Sequence, residues 1–317
     1  MNDRSSPSSP SALPAHARPK SATALAVTIA TAIGASTSLH AATPLDIPGF
    51  MAIPRPMPTL ELQYGEATSQ GIDVFIPEGK GPFPVVVLIH GGCWSETTAP
   101  RHQLRHLGAE LAKHGIATWS IGYRRANEKG GGYPGTFLDV GVAIDRLRDD
   151  AARYRFDLSR TVLVGHSAGG HLALWAASRE QLPETSQLRV AAPFVPRKVV
   201  SLAGIGDLKI YAPLITSYCG ASVGTKLIGA PSAQRPDVYA DTSPAALPPK
   251  GADIVMVSGT LDRLVPPYVA HDYARQVQDS SSVRRVNLEE AGHFDLVATP
   301  RPAWNHVRDL IESALTP

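Results

Sequence analysis

The residue best placed for covalent chemistry is Ser167, in the pentapeptide Gly165-His166-Ser167-Ala168-Gly169. A serine hydroxyl at its ordinary pKa is a weak nucleophile. It needs a general base in contact, a third group that orients the base, and donors for the oxyanion formed on attack. The acid candidate is Asp262, in "GTLDRLVP" just past an apolar run, with Asp207 and Glu290 as rivals. Three histidines follow Asp262. His271 and His306 fall on amphipathic helical patterns, which suits surface positions, whereas His293 sits beside a glycine in the loop "EEAGHFDL". His293 is therefore the candidate base. Upstream, "LIHGGCW" offers the backbone N–H groups of Gly91, Gly92 and Cys93 as oxyanion donors, partnered by the N–H of Ala168. Glycines there let the backbone approach a substrate oxygen with no side chain in the way.

The remaining histidines read as structural. His166 and His171 flank the pentapeptide, and His90 is placed to brace the oxyanion loop. His102 and His106 have i, i+4 spacing that could hold a metal, but no carboxylate signature accompanies them, so no metal site is assigned. Trp94, His166, Tyr211, Leu214 and Tyr218 are the candidate lining of a substrate pocket. No G-x-x-x-x-G-K-[ST] phosphate loop occurs, and no G-x-G-x-x-G follows a strand.

These groups can meet only if the fold gathers them. Strands are expected at 60–65 and 71–77, as a hairpin, then at 83–92, 116–124, 161–165, 198–204, 252–259 and 283–289. Helices are expected at 101–114, 136–153, 168–178, 268–278 and 302–315, the second with Phe137, Val140, Ile144, Leu147 and Ala151 on one face. Strands alternating with helices imply an α/β architecture with a mostly parallel sheet. The strand 161–165 running into the helix from Ala168 makes 165–169 a strand-to-helix turn, so the Ser167 hydroxyl stands at a helix N-terminus that favours developing negative charge. Residues 205–250 have no clear period and are rich in Pro, Gly, Ser and Ala. They read as a short insertion over the carboxyl edge of the sheet, long enough to roof an acyl pocket.

The 317 residues, 43% hydrophobic and 18% charged, suit one large core, and the net charge of +2 gives no reason to expect a nucleic-acid partner. Two cysteines, Cys93 and Cys219, exclude a disulfide scaffold or a cysteine-rich zinc module, and whether they pair is left open. Residues 1–42 differ from the rest. A Ser/Pro/Ala-rich start leads to Arg18 and Lys20, then an apolar run from Ala22 to Ala35, then small residues. This is the pattern of a signal peptide, cleaved near Ala41 or Ala42, with export to the periplasm or medium as the expectation. The run is too short for a membrane span. Three of the 30 basic and one of the 28 acidic residues lie in the first 41, so residues 43–317, read as the catalytic domain, are neutral.

The motifs "HGGCW", "GHSAGGHLA", "GTLDRLVP" and "AGHFD" together resemble the α/β-hydrolase superfamily, and within it the esterase and kynurenine formamidase-like branch with an H-G-G-x-W oxyanion loop. The segment "YRFDLSRTVLVGHSAGGHLAL" is similar to that branch throughout, and the resemblance spans about residues 60–315. Cys93 departs from the many relatives that carry glycine or a larger residue there. The resemblance implies an α/β-hydrolase fold with eight strands, the chain order nucleophile–acid–base at Ser167, Asp262 and His293, and no cofactor. It implies hydrolysis of small to medium carboxylic esters through an acyl-enzyme. An arylformamidase is the alternative, and a non-catalytic binding protein on the same fold is a more distant one. The substrate is then a small ester or amide.

Overall fold

Phe83–Ile89 (β3) is buried along almost its whole length, which is why its sequence is a continuous apolar run rather than an alternating one. The computed structural model describes residues 43–98 and 100–316; the expected leader, 1–42, lies outside the described residues. Leu60–Gln63 (β1) and Gly71–Phe75 (β2) pair antiparallel, as the expected hairpin. Ala117–Ile121 (β4) pairs antiparallel with β2 and parallel with β3. Phe156–His166 (β5), Lys198–Leu202 (β6), Asp253–Gly259 (β7) and Ser282–Leu288 (β8) complete one eight-stranded sheet in the order β1-β2-β4-β3-β5-β6-β7-β8, all parallel from β4 onward. The architecture is the expected one. β5 begins five residues before the apolar run, because Phe156 and Asp157 pair with Phe83 and Pro84 before a register shift at Pro84/Val85.

Helices cover the sheet. After Ile47–Met51 (α1), the stretch expected as one helix at 101–114 divides into a 3-10 turn, Arg101–Leu104, and a helix, Arg105–Lys113 (α2). Gly135–Tyr154 (α3) buries the whole expected stripe from Phe137 to Ala151. Ala168–Ala177 (α4) is buried at every residue, so it is the central helix and shows no amphipathic period. The insertion carries two short helices, Ala212–Cys219 (α5) and Ala221–Ile228 (α6), broken at Gly220. Pro267–Val277 (α7) and Pro302–Leu315 (α8) follow β7 and β8. Among the described residues no helix is long and apolar enough to cross a membrane.

His102 lies with Glu61 and Asp73 in the one grouping of possible metal ligands among the described residues. Two guanidinium groups already supply the positive charge there. Asp73, fully buried on β2, accepts from Arg101 Nε (3.0 Å), Arg105 Nε (2.8 Å) and Arg105 Nη2 (3.1 Å), and Glu61 contacts both arginines. His106 points elsewhere, its Nε2 donating to Val297 O at 2.7 Å. The i, i+4 pair is therefore divided between an ion-pair network and a core contact.

Candidate active site

β5 ends at His166 and α4 begins at Ala168, so Ser167 is the corner residue of a strand-to-helix turn. Its backbone is at φ 54, ψ −118, a conformation that side-chain-bearing residues avoid and that is found mostly where function needs it. The turn exists because its neighbours are glycines. A Cβ at Gly165 would stand 2.0 Å from Gly169 O, and one at Gly169 would stand 2.0 Å from Ile89 O. The N–H of Ser167 donates to Leu202 O at 2.8 Å and fixes the corner to β6. As the first residue of α4, Ala168 has an N–H without an intrahelical partner.

The loop after β3 lies against this corner. A Cβ at Gly91 would be 3.2 Å from the Cβ of Ser167. Cys93 and Trp94 both have left-handed backbone, at φ 53 and 48. Side chains hold the loop in this shape. His90 stacks on Tyr123 with ring centroids 4.3 Å apart, its Nδ1 donates to Gly91 O at 2.7 Å, and the Tyr123 hydroxyl donates to His90 O. Trp94 Nε1 donates to His171 Nδ1 at 3.2 Å, and His171 Nε2 donates to Thr242 O at 2.9 Å. His171 thus has one nitrogen accepting and one donating, which only the neutral ring can do. Burial holds its pKa down at about 4. Burial likewise lowers His90 to about 3.

Of the three candidate acids, Asp262 is the one that meets a histidine. Its Oδ2 accepts from His293 Nδ1 at 2.7 Å, and its Oδ1 accepts the N–H groups of Leu264 and Val265 at 2.8 and 2.9 Å. Both side chains are buried. Asp207 instead accepts from the N–H groups of Lys209 and Ile210, and Glu290 is exposed. His271 and His306 lie on α7 and α8 with accessible surface, as expected of them. His166 Nε2 donates to His293 O at 3.1 Å, tying the His293 loop to the serine corner. Burial first, and the neighbouring His293 second, push the pKa of His166 well down.

Ser167 and His293 line one cavity of about 220 Å³, together with Gly92, Cys93, Trp94, His166, Leu214 and Tyr218. The Ser167 hydroxyl and His293 share this cavity without a hydrogen bond between them. Tyr211 is a correction: it does not line the cavity. It precedes α5, and its hydroxyl donates to Asp272 Oδ2 on α7 at 2.6 Å.

One feature was left open by the sequence and one was not read from it. Cys93 and Cys219 form a disulfide, with Cα atoms 5.3 Å apart, that fastens the loop after β3 to the end of α5. The other is α1, whose Ile47, Phe50 and Met51 line the cavity. Its signal was present in Asp46, which caps the helix by accepting the N–H of Gly49 at 2.8 Å, and in Pro48 within the first turn. Five residues are too few to show a period.

Residues 72–276 match the BD-FAE family. The kynurenine formamidase of Danio rerio is 26% identical over 163 residues, covering 50% of this chain and 49% of that protein. Esterase LipC of Mycobacterium tuberculosis is 25% identical over 263 residues, covering 80% of this chain and 60% of that protein. The chain thus spans between about half and three fifths of the length of these two relatives. Among solved structures, esterase B of Lactobacillus rhamnosis, inhibited by a C4-C4 SN3 tributyrin phosphonate, superposes with a TM-score of 0.68 at 20% identity, over 82% of this chain and 87% of that one.

Proposed function

The chain belongs to the BD-FAE family, and from that starting point we propose that it is a serine hydrolase of small to medium carboxylic esters, with Ser167 as nucleophile, His293 as base and Asp262 as its orienting acid. The observation that carries the reading is a single cavity. It has Ser167 on a strained helix-start corner and, on the same wall system, a histidine held through Nδ1 by a buried carboxylate. With Nδ1–H committed to Asp262, the other ring nitrogen, Nε2, is the basic one. It takes the proton of Ser167 as Oγ attacks the ester carbonyl. The N–H groups of Ala168 and of the 91–93 loop hold the oxyanion, and the apolar lining strengthens those bonds by excluding water. Asp262 stabilises the imidazolium. The proton passes from Nε2 to the departing alcohol oxygen, and water then releases the acid from the acyl-enzyme by the same steps.

Cleavage of a formamide is the second reading, favoured by the likeness to the zebrafish kynurenine formamidase. The same residues would act on a C–N bond. A panel of p-nitrophenyl acetate, butyrate and a longer ester beside N-formylkynurenine separates the two. The ester reading expects the highest kcat/KM on one of the esters. Faster turnover of the formamide than of every ester would overturn it.

The reading includes export, supported by the leader-like residues 1–42 and by a disulfide, a bond that persists in oxidising compartments. The exported protein is expected to begin near residue 42 and to show two free thiols in denaturant only after reduction. Recovery of the full-length chain with two free thiols from the cytosol would refute this.

A further inference from the structure

Two of the elements that line the cavity are anchored to different pieces of the proposed catalytic machinery. One wall is α1. Phe50 is buried and stacks on Phe294, with centroids 5.3 Å apart and planes 23° apart, and Phe294 meets the His293 ring edge-on at 5.1 Å. The chain leading into α1 is clasped to the same loop. Leu45 N–H and Gly292 N–H both donate to Asp295 Oδ2, at 3.1 and 2.8 Å. Arg301 bridges Asp295 and Thr43 O. The second wall is α5, with Leu214, Ile215 and Tyr218, fastened through Cys219 to Cys93 of the oxyanion loop.

Ester chemistry assigns a different arm to each wall. The leaving oxygen must come within hydrogen-bond reach of His293 Nε2, because that nitrogen returns the proton. The carbonyl oxygen must lie against the 91–93 and Ala168 N–H groups. We propose, resting on the ester-hydrolase reading, that α1 is a specificity element for the alcohol arm of the ester and α5 for the acyl arm. Ile47, Phe50 and Met51 receive an apolar alcohol, and Leu214, Ile215 and Tyr218 receive an apolar acyl chain. The cavity is about 220 Å³ in volume and lined mostly by apolar side chains. The preferred substrates are therefore esters apolar on both sides of the carboxyl group, with short to medium arms. Ile47 is 58% exposed, so a longer alcohol arm emerges into solvent past α1.

The test crosses two substrate series with two variants. Methyl, butyl and hexyl butyrate vary the alcohol; methyl acetate, butyrate and hexanoate vary the acyl group. Met51→Trp, which fills the α1 end, is expected to lower the hexyl-to-methyl ratio of kcat/KM at least tenfold. It should change the hexanoate-to-acetate ratio less than twofold. Leu214→Trp is expected to do the reverse. Ile47→Ala, at an accessible position, repeats the alcohol test where folding is least at risk; it removes apolar contact with the longer arm and is expected to lower the hexyl-to-methyl ratio. If the wild type turns over esters but both ratios move together in each variant, or Met51→Trp moves only the acyl ratio, the assignment of arms is wrong. Absence of any ester turnover by the wild type would overturn the ester-hydrolase reading itself, and the arms with it.

Discussion

Ser167→Ala is expected to lower kcat/KM on the best ester by roughly four orders of magnitude or more while leaving the fold intact. In the proposed mechanism the loss is that large because acid, base and oxyanion donors act as a unit. Without the nucleophile, His293 and Asp262 have no Oγ to activate, and only binding and oxyanion stabilisation remain. The fold is expected to survive because alanine keeps what the corner needs. Its Cβ occupies the position of the serine Cβ at φ 54, and its N–H still donates to Leu202 O. The stability change should be within about 0.5 kcal/mol, as for a benign substitution. Steady-state kinetics with a thermal melt on the same sample decides. A folded variant that keeps a tenth of wild-type activity would remove Ser167 from the nucleophile's role.

Acidification is expected to unfold the protein between about pH 6.5 and pH 4. Three histidines are buried and neutral: His90, with its pKa lowered to about 3, and His106 and His171, each lowered to about 4, burial being the largest cause in all three. His166 shifts in the same direction. Below 6.5 the unfolded chain takes up protons on these side chains and the native chain does not. Stability therefore falls as pH falls, by up to about 1.4 kcal/mol per pH unit for each group, until the folded-state pKa is reached. By pH 4 each of the three has cost roughly 3 kcal/mol, and their sum is comparable to the whole stability of a typical domain. The affected positions bear on activity. His171 cannot accept from Trp94 once its Nδ1 is protonated, so the loop after β3 loses that brace. Circular dichroism melts at pH 7, 5.5 and 4.5 provide the measurement. A melting temperature unchanged across that range would contradict the neutral-histidine account.

Much of the fold was legible because burial leaves a local, periodic trace. The continuous apolar runs at 83–89 and 161–165 marked interior strands, and the stripe on α3 marked its buried face. The strand-to-helix corner was legible for a different reason: glycines at 165 and 169 record steric limits set by backbone only a few ångströms away. Periodicity says nothing about residues that meet from far along the chain. The disulfide joins positions 126 apart, and Leu45 reaches Asp295 across 250 residues. Both depend on sheet order and on where the insertion falls. Tyr211 was misplaced because its position near the carboxyl edge of the sheet was evident, but its direction depends on Asp272 of a later helix.

The sequence by itself determined the sheet's strands, the serine corner and the short list of acids and bases, since these follow from local pattern and local sterics. Tertiary structure decided that the Asp262–His293 pair chosen from sequence is in contact while Asp207 and Glu290 are not, that Cys93 and Cys219 are bonded, and that α1 joins the insertion residues Leu214 and Tyr218 around the cavity. The physical reason is that pairing and enclosure are properties of distances between elements, and the packing of the sheet and its covering helices sets those distances.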